Sequence, residues 1–386
     1  MRRVFLREGR EKKIQNRYPW VQREEVSRVG GTGDDGELAE LLDSKGSFLA
    51  RGTYNGAPRF PFRVFTLDPD EVIDTDFFVR RFSAAKERRS GMEEAAVRWI
   101  HAEADGCPGL IVDGYREHLV VQVRSLGMQK LREAWVPALK QVFEPESAYE
   151  RSDMEGRKEE GLEPYMGPIF GRSPAEISVE EDGLEFLVRP QEGLKTGFYM
   201  DQRATRRAFE SRVKPGEKVL DCFCYTGAFT LRAARAGAEA TGVDILPLAV
   251  ETAQEHAKRN DLEASFIEAN AFEYLEHNEE NTEYDWILLD PPAISKSGKT
   301  KDSLKWAIWN LVYHSLPRLA PGGRLLVCSC SYQLSLNALL DTVRLATSDR
   351  GRAIFLEDVT YQDIDHPAPL HFPEALYLKC AWLRAE

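Results

Sequence analysis

A series of short apolar runs, each stopped by polar residues and followed by a helix-forming stretch, constrains this chain more than any other feature. The first is Lys218-Val219-Leu220, which ends at Asp221. A turn from Cys222 to Thr226 closes at Gly227, and Ala228, Phe229, Leu231, Ala233 and Ala234 then favour a helix. The second run, Ala240 to Val243, ends at Asp244, 23 positions after Asp221 (244 minus 221). The third, Ser265-Phe266-Ile267, leads to Asn270-Ala271-Phe272. The fourth, Asp285 to Leu289, ends at Asp290-Pro291-Pro292. The fifth, Arg324 to Val327, follows the turn Pro321-Gly322-Gly323 and runs into Cys328-Ser329-Cys330-Ser331. Strands alternating with helices predict an α/β fold with a doubly wound, Rossmann-like parallel sheet. Its ligand sits beyond the carboxyl ends of the strands, where strand order reverses.

The strand ends specify the ligand. The first turn has one glycine, at the start of the helix, and lacks the G-x-G-x-x-G spacing of dinucleotide folds. Asp221 would repel a pyrophosphate and attract an ammonium group. S-adenosylmethionine carries an ammonium and no phosphate. Asp244, with Ile245 beside it, stands where an acid usually meets a ribose hydroxyl pair. Asn270 and Ala271 stand where adenine edges are met. Cys222 lines the turn with its backbone, and Tyr225 and Gly227 complete it. Upstream, Gly193 to Arg203 gathers Phe198, Gln202 and Arg203 ahead of a helix from Arg203 to Phe209, as a lid would. Asp290 joins the cofactor set from the fourth strand end.

At 386 residues, two or three domains are expected. Residues 1–73 read as a small β domain, 74–190 as a central α+β module, and 191–386 as the doubly wound domain. In the central module a basic helix from Asp74 to Arg89 opens, a turn follows at 102–109, and Glu144 to Glu163 reads as an acidic surface loop. The net charge of −12 argues against indiscriminate nucleic-acid binding, yet the first 17 residues carry seven basic side chains against two acidic ones. Those are Arg2, Arg3, Arg7, Arg10, Lys12, Lys13 and Arg17, and the plain alternative is a solvated helix face. Six cysteines fit a reducing compartment. No apolar run is long enough to span a bilayer, and the start lacks a signal peptide's apolar core, so a cytoplasmic protein without membrane contact is expected.

Four strings together carry a resemblance. They are Glu103 to Asp113 (EADGCPGLIVD), Gly193 to Arg203 (GLKTGFYMDQR), Leu289-Asp290-Pro291-Pro292, and Val327-Cys328-Ser329-Cys330-Ser331. Asp365-His366-Pro367 and Phe372-Pro373-Glu374 agree with them. The chain resembles the bacterial large-subunit (23S) ribosomal RNA cytosine-C5 methyltransferases of the RlmI/RlmO type, over nearly its whole length. Residues 9–20 and 47–65 resemble a PUA domain, a small RNA-binding barrel. The resemblance implies a PUA domain, a central module and a class I S-adenosylmethionine-dependent methyltransferase domain acting on ribosomal RNA. One departure is Asn270, where the family usually has Asp; an amide still hydrogen-bonds adenine. A homodimer stays open.

The implied chemistry needs a thiol. Cytosine C5 is a poor nucleophile, and thiolate attack at C6 pushes electron density onto C5, which then takes a methyl group. Cys330 fits by its order along the chain and by its match to the family's Ser-Cys-Ser. Alternation places Cys328 on the same strand face, so spacing alone does not separate the two. Asp290 is the second catalytic candidate, through the cytosine edge, with turn capping as the plainer role. The base that removes the C5 proton is not readable; Asp290, His366 and water stay open. Cys222, Cys224, Cys328 and Cys330 also invite a zinc site, disfavoured because it would consume the nucleophile, and no metal is expected. Two other functions stay open: a base N-methyltransferase without a covalent step, and a non-catalytic RNA-binding assembly factor.

Overall fold

A computed structural model describes residues 1–92, 96–193, 195–277, 282–292 and 301–386; Leu194, within the expected lid segment, lies outside the described residues. The chain forms two compact units. One comprises residues 1–182, 188–200 and 364–375, and the other 183–187, 201–363 and 376–386. These limits differ from the expected domains, because 188–200 and 364–375 cluster with the first unit.

The second unit is built on a seven-stranded sheet. Its strands are β1 (Lys218–Cys222), β2 (Glu239–Asp244), β3 (Ser265–Glu268), β4 (Tyr284–Leu289), β5 (Leu319–Ser329), β6 (Ile354–Tyr361) and β7 (Lys379–Ala385). The spatial order is β3-β2-β1-β4-β5-β7-β6. Strands β1 to β5 are parallel, and β7 runs antiparallel to both β5 and β6. The central strands are buried on both faces, which is why they read as continuous apolar runs. Alternation divides the core. Leu220, Cys222, Ile287, Leu289, Leu325 and Val327 pack in one cluster, while Val219, Trp286, Leu288, Leu326 and Cys328 pack in another. The helices are α1 (Arg203–Glu210), α2 (Ala228–Arg235), α3 (Pro247–Arg259), α4 (Ala271–His277), α5 (Lys301–Ser315) and α6 (Leu336–Asp349). Strand order reverses beside β1, so the carboxyl ends of β1 and β4 flank the crevice where a ligand is expected.

The first unit holds a six-stranded sheet from residues 2–66 and a five-stranded sheet from 96–170. The helix Thr75–Arg88 packs three fully buried phenylalanines, Phe77, Phe78 and Phe82, against Val97, Val112 and Val121 of the five-stranded sheet. Asp74 caps that helix, accepting from Phe77 N at 3.0 Å.

The expected acidic surface loop is a correction. Residues 147–152 form a strand and 155–160 a 3₁₀ helix, with Glu150, Arg157 and Glu160 buried. The charges are inside because they pair. Glu150 accepts from Arg157 at 3.1 Å and Arg132 at 2.5 Å, and Glu160 accepts from Arg63 at 2.7 Å. Such pairs satisfy one another's hydrogen bonds, so composition alone reads them as solvated.

Candidate active site

The turn after β1 is held from below. Asp221 is buried, and its Oδ2 accepts from Thr230 Oγ1 at 2.7 Å and Thr230 N at 3.1 Å, tying the strand end to α2. Phe223 and Tyr225 adopt left-handed backbone conformations, with φ of 66° and 50°. The amides of Phe223 and Cys224 both donate to Val243 O, at 2.8 and 3.1 Å. Gly227 closes the turn at φ 80°; a Cβ there would approach the Phe266 ring to 2.8 Å and Ala253 Cβ to 3.0 Å. Only glycine fits both the angle and the space. The buried His256 fixes the turn from α3, its Nδ1 donating to Thr226 O at 2.9 Å while Nε2 accepts from Leu187 N at 2.7 Å. Those two partners set the neutral tautomer.

Asp244 at the end of β2 is committed to backbone. Its Oδ2 accepts from Tyr225 N at 2.9 Å and its Oδ1 from Leu246 N at 3.0 Å. One carboxylate therefore positions the first turn and its own. Ile245, 59% exposed, follows it and offers an apolar face. Asn270 caps α4, its Oδ1 accepting from Phe272 N at 3.0 Å, so its amide nitrogen is the group left to meet a base edge. Ala271 is buried behind it.

Three acids stand at the ends of β2, β1 and β4, which are adjacent in the sheet. Burial first, and then the charges of Asp290 and Asp244, push the Asp221 carboxyl up to about 7, against the opposing hydrogen bonds from Thr230. Strand ends with this field suit a cation, and the acids and turn fit the ammonium and ribose of S-adenosylmethionine.

On the β4–β5 side, Asp290 Oδ2 accepts from Gln202 Nε2 at 2.9 Å. The other end of Gln202, its Oε1, accepts from Cys380 Sγ at 3.4 Å. Exposure separates the two candidate thiols. Cys328 is 1% exposed and packs with Trp286, Leu378 and Trp382, and burial and neighbouring Cys380 push its thiol well up. Cys330 is half-buried, just past the end of β5. Among the described residues the cysteines form no metal-holding group. Cys222 packs in the core cluster opposite that of Cys328.

The other expected residues are placed as follows. Gln202 and Arg203 are buried in the second unit, where Arg203 pairs with Asp363 at 3.1 Å. Its guanidinium is thus tied to protein. Phe198 is buried in the first unit. His366 is also in the first unit, buried, with Nδ1 bonded to Asp365 at 2.7 Å. The Asp365 carboxylate also accepts from Arg98 N at 3.1 Å, and its carbonyl accepts from Arg89. That network accounts for the Asp365-His366 string as structure. Sequence reading missed Thr230, His256 and Lys379. His256 and Lys379 act through partners 30 and 48 positions away, and Thr230 reaches back nine positions to Asp221 across the turn, so no motif spacing announces them.

The sheet order 3-2-1-4-5-7-6, with acids on three adjacent strand ends, defines a Rossmann-like methyltransferase domain. Residues 213–360 match the family model described as a methyltransferase domain, and residues 4–67 match that of a PUA-like domain. The chain is 37% identical to ribosomal RNA large subunit methyltransferase I of Aeromonas hydrophila, over 99% of each chain. It is 36% identical to the protein of that name from Shewanella frigidimarina, over 98% of each. A methyltransferase structure solved with SAH shares the fold over 100% of both chains, with TM-score 0.87 at 19% identity. This chain belongs to the ribosomal RNA large subunit methyltransferase I family.

Proposed function

We propose that the protein is an S-adenosylmethionine-dependent methyltransferase forming 5-methylcytosine in large-subunit (23S) ribosomal RNA, through a covalent bond between Cys330 and cytosine C6. The observation that carries this reading is a half-buried thiol one residue past β5, in a sheet whose β4 is followed at once by Asp290. Family membership supports the substrate class. Bound at the β1–β4 crevice, the cofactor supplies an electrophilic methyl group. Asp221 holds its ammonium, and Asp244 and Asn270 hold ribose and adenine. Cys222, Tyr225, Gly227, Ile245 and Ala271 line the place, and Gln202 and Arg203 support it. Cys330 attacks C6 and pushes electron density onto C5, while Asp290 holds the cytosine edge in the orientation Gln202 fixes; once C5 carries the methyl group and gives its proton to a base, the C6–S bond breaks and the thiolate leaves. Mapping methylated cytosines in ribosomal RNA from cells with and without the gene tests the reading. A modification map that does not change overturns it.

The working division is residues 1–73 for RNA, 74–190 as central module and 191–386 for chemistry. The N-terminal charges sort by their partners. Arg2 pairs with Asp35 and Lys13 with Glu25, whereas Arg7, Arg10, Lys12 and Arg17 are exposed. Replacing those four by alanine should weaken RNA binding for all sequences and flatten the salt dependence by up to about three units of slope. Cofactor affinity should not change. Filter binding at several salt concentrations checks this, and an unaltered slope removes the RNA role.

Cofactor affinity should depend on pH. The Asp221 carboxyl at about 7 lies above its ordinary range, so the unliganded site holds a proton below pH 7. A bound ammonium favours the carboxylate, so binding releases that proton. Affinity should fall below pH 7 by a factor approaching about tenfold per unit, and Asp221→Asn should flatten the curve. Calorimetry across pH 5.5–8.5 checks this; a wild-type curve that matches the variant's refutes it.

The protein is further read as cytoplasmic, where its substrate resides; among the described residues no helix is long and apolar enough to cross a membrane. It is read as a homodimer because edge strand β6 exposes Phe355 and Leu356. Cell fractionation and sedimentation equilibrium test these two points, and membrane recovery or a monomer mass would reject them.

A further inference from the structure

We propose that Lys379 is the positioning residue of the nucleophile: its ammonium pins the turn that presents Cys330 and provides the positive charge beside which the thiol ionises. The proposal rests on reading Cys330 as the nucleophile.

Lys379 opens β7 and pairs across the ladder with Ser329, the last residue of β5. It is 4% exposed, and a lysine is rarely buried so fully without a partner. Its Nζ donates to Ser331 O at 2.6 Å and to Leu334 O at 2.8 Å. The clamp thus grips the chain immediately beyond Cys330, while the ladder fixes the residue immediately before it. A half-exposed thiol on an unsupported turn would sample many positions. This one is held from both sides.

The clamp also leaves a charge unbalanced. Two carbonyls satisfy hydrogen bonds but carry no net charge, and among the described residues no carboxylate pairs with Lys379. The groups facing it are the thiols of Cys330 and Cys380, with Tyr361 opposite on β6. Cys328 pairs with Cys380 across the ladder, and the charge of Asp290 acts on Cys328. Burial brings the ammonium down to about 8, and Cys330 and Cys380 oppose that shift. Cys380 is fully buried and its S–H donates to Gln202, so its hydrogen is already committed to a protein acceptor. Cys330 is the half-buried member, and its thiolate is the counter-charge that the ammonium lacks. On ionisation the thiol proton goes to solvent and Lys379 keeps its own. A neighbouring cation lowers a thiol's pKa and raises the fraction able to attack C6.

The test is the rate of Cys330 alkylation by iodoacetamide against pH, in the full-length protein, read on the Cys330 peptide by mass spectrometry. Lys379→Gln keeps an N–H donor for the carbonyls and removes the charge; Lys379→Arg keeps the charge. The wild type should reach half its maximal rate below about 8.5, the ordinary thiol value. Lys379→Gln should move that midpoint up by about one unit, and slow alkylation at pH 7 about tenfold. Lys379→Arg should stay close to the wild type. An unmoved midpoint in Lys379→Gln overturns the proposal. So does a wild-type midpoint at or above about 8.5, which needs no variant to fold. Methyl transfer by Cys330→Ala tests the nucleophile itself, so failure of that reading is seen separately.

Discussion

Cys330→Ala should bind cofactor as the parent does and lose methyl transfer by on the order of a thousandfold or more, because the covalent route disappears with the thiol. Cys330→Ser should fail too. A hydroxyl is far less nucleophilic than a thiolate, and a cation beside it does not bring its pKa near neutrality. Cys328→Ser is the contrast. Cys328 lies inside the cluster of Trp286, Leu378 and Trp382, where burial holds its thiol protonated. A hydroxyl in that place should cost about 1–3 kcal/mol of stability and leave most of the activity. Transfer of labelled methyl to ribosomal RNA, with cofactor affinity measured alongside, checks all three variants. Loss of activity in Cys328→Ser, with Cys330→Ala active, would exchange their roles.

Asp244→Ala should weaken cofactor binding by about 1.5–3 kcal/mol, or roughly 10- to 160-fold. Two losses add. The ribose loses its charged acceptor, and the amides of Tyr225 and Leu246 lose theirs. The second loss loosens the turn between β1 and α2, so Asp244→Asn should recover only part of the affinity. Its carboxamide keeps one acceptor oxygen where the carboxylate presents two. Calorimetry that finds Asp244→Ala unchanged would remove the residue from the ribose role and leave it as a turn brace.

The sequence carried the sheet well at the central parallel strands, which are buried on both faces. Val219-Leu220, Ile287-Leu288 and Leu325-Leu326 announce themselves because both faces demand apolar side chains. Strand β6 was missed because it is an exposed edge whose Glu357 and Asp358 break the pattern. Strand β7 is also buried on both faces yet was missed, because Lys379 at its start and Arg384 near its end interrupt the apolar run. The strand-end acids were legible as a pattern, since doubly wound folds put ligands there. Their commitments were not. The turn must be folded before Thr230, nine positions on, comes back to Asp221, and nothing near Thr226 names His256. The choice between Cys328 and Cys330 was likewise closed to spacing, because alternation puts both on one face. Burial tells the two apart, since Cys328 is enclosed within β5 and Cys330 lies just past its end at Ser329; the proposed role of Cys330 rests on that difference. The buried ion pairs of residues 147–160 were hidden for the opposite reason: a charged side chain looks solvated until its partner is known.

The central claim, a covalent bond from Cys330 to C6, is tested most directly with a ribosomal RNA fragment carrying 5-fluorocytidine. Fluorine at C5 cannot leave as a proton does, so the methylated adduct has no route to expel the thiol and persists. With cofactor present, the wild type should give a protein–RNA band that survives denaturing electrophoresis, and tryptic mapping should place the nucleotide on the Cys330 peptide. Cys330→Ala should give no such band. A wild type that methylates cytidine RNA but leaves no adduct on the fluorinated fragment would contradict the account, as would a Cys330→Ala protein that turns over at the wild-type rate.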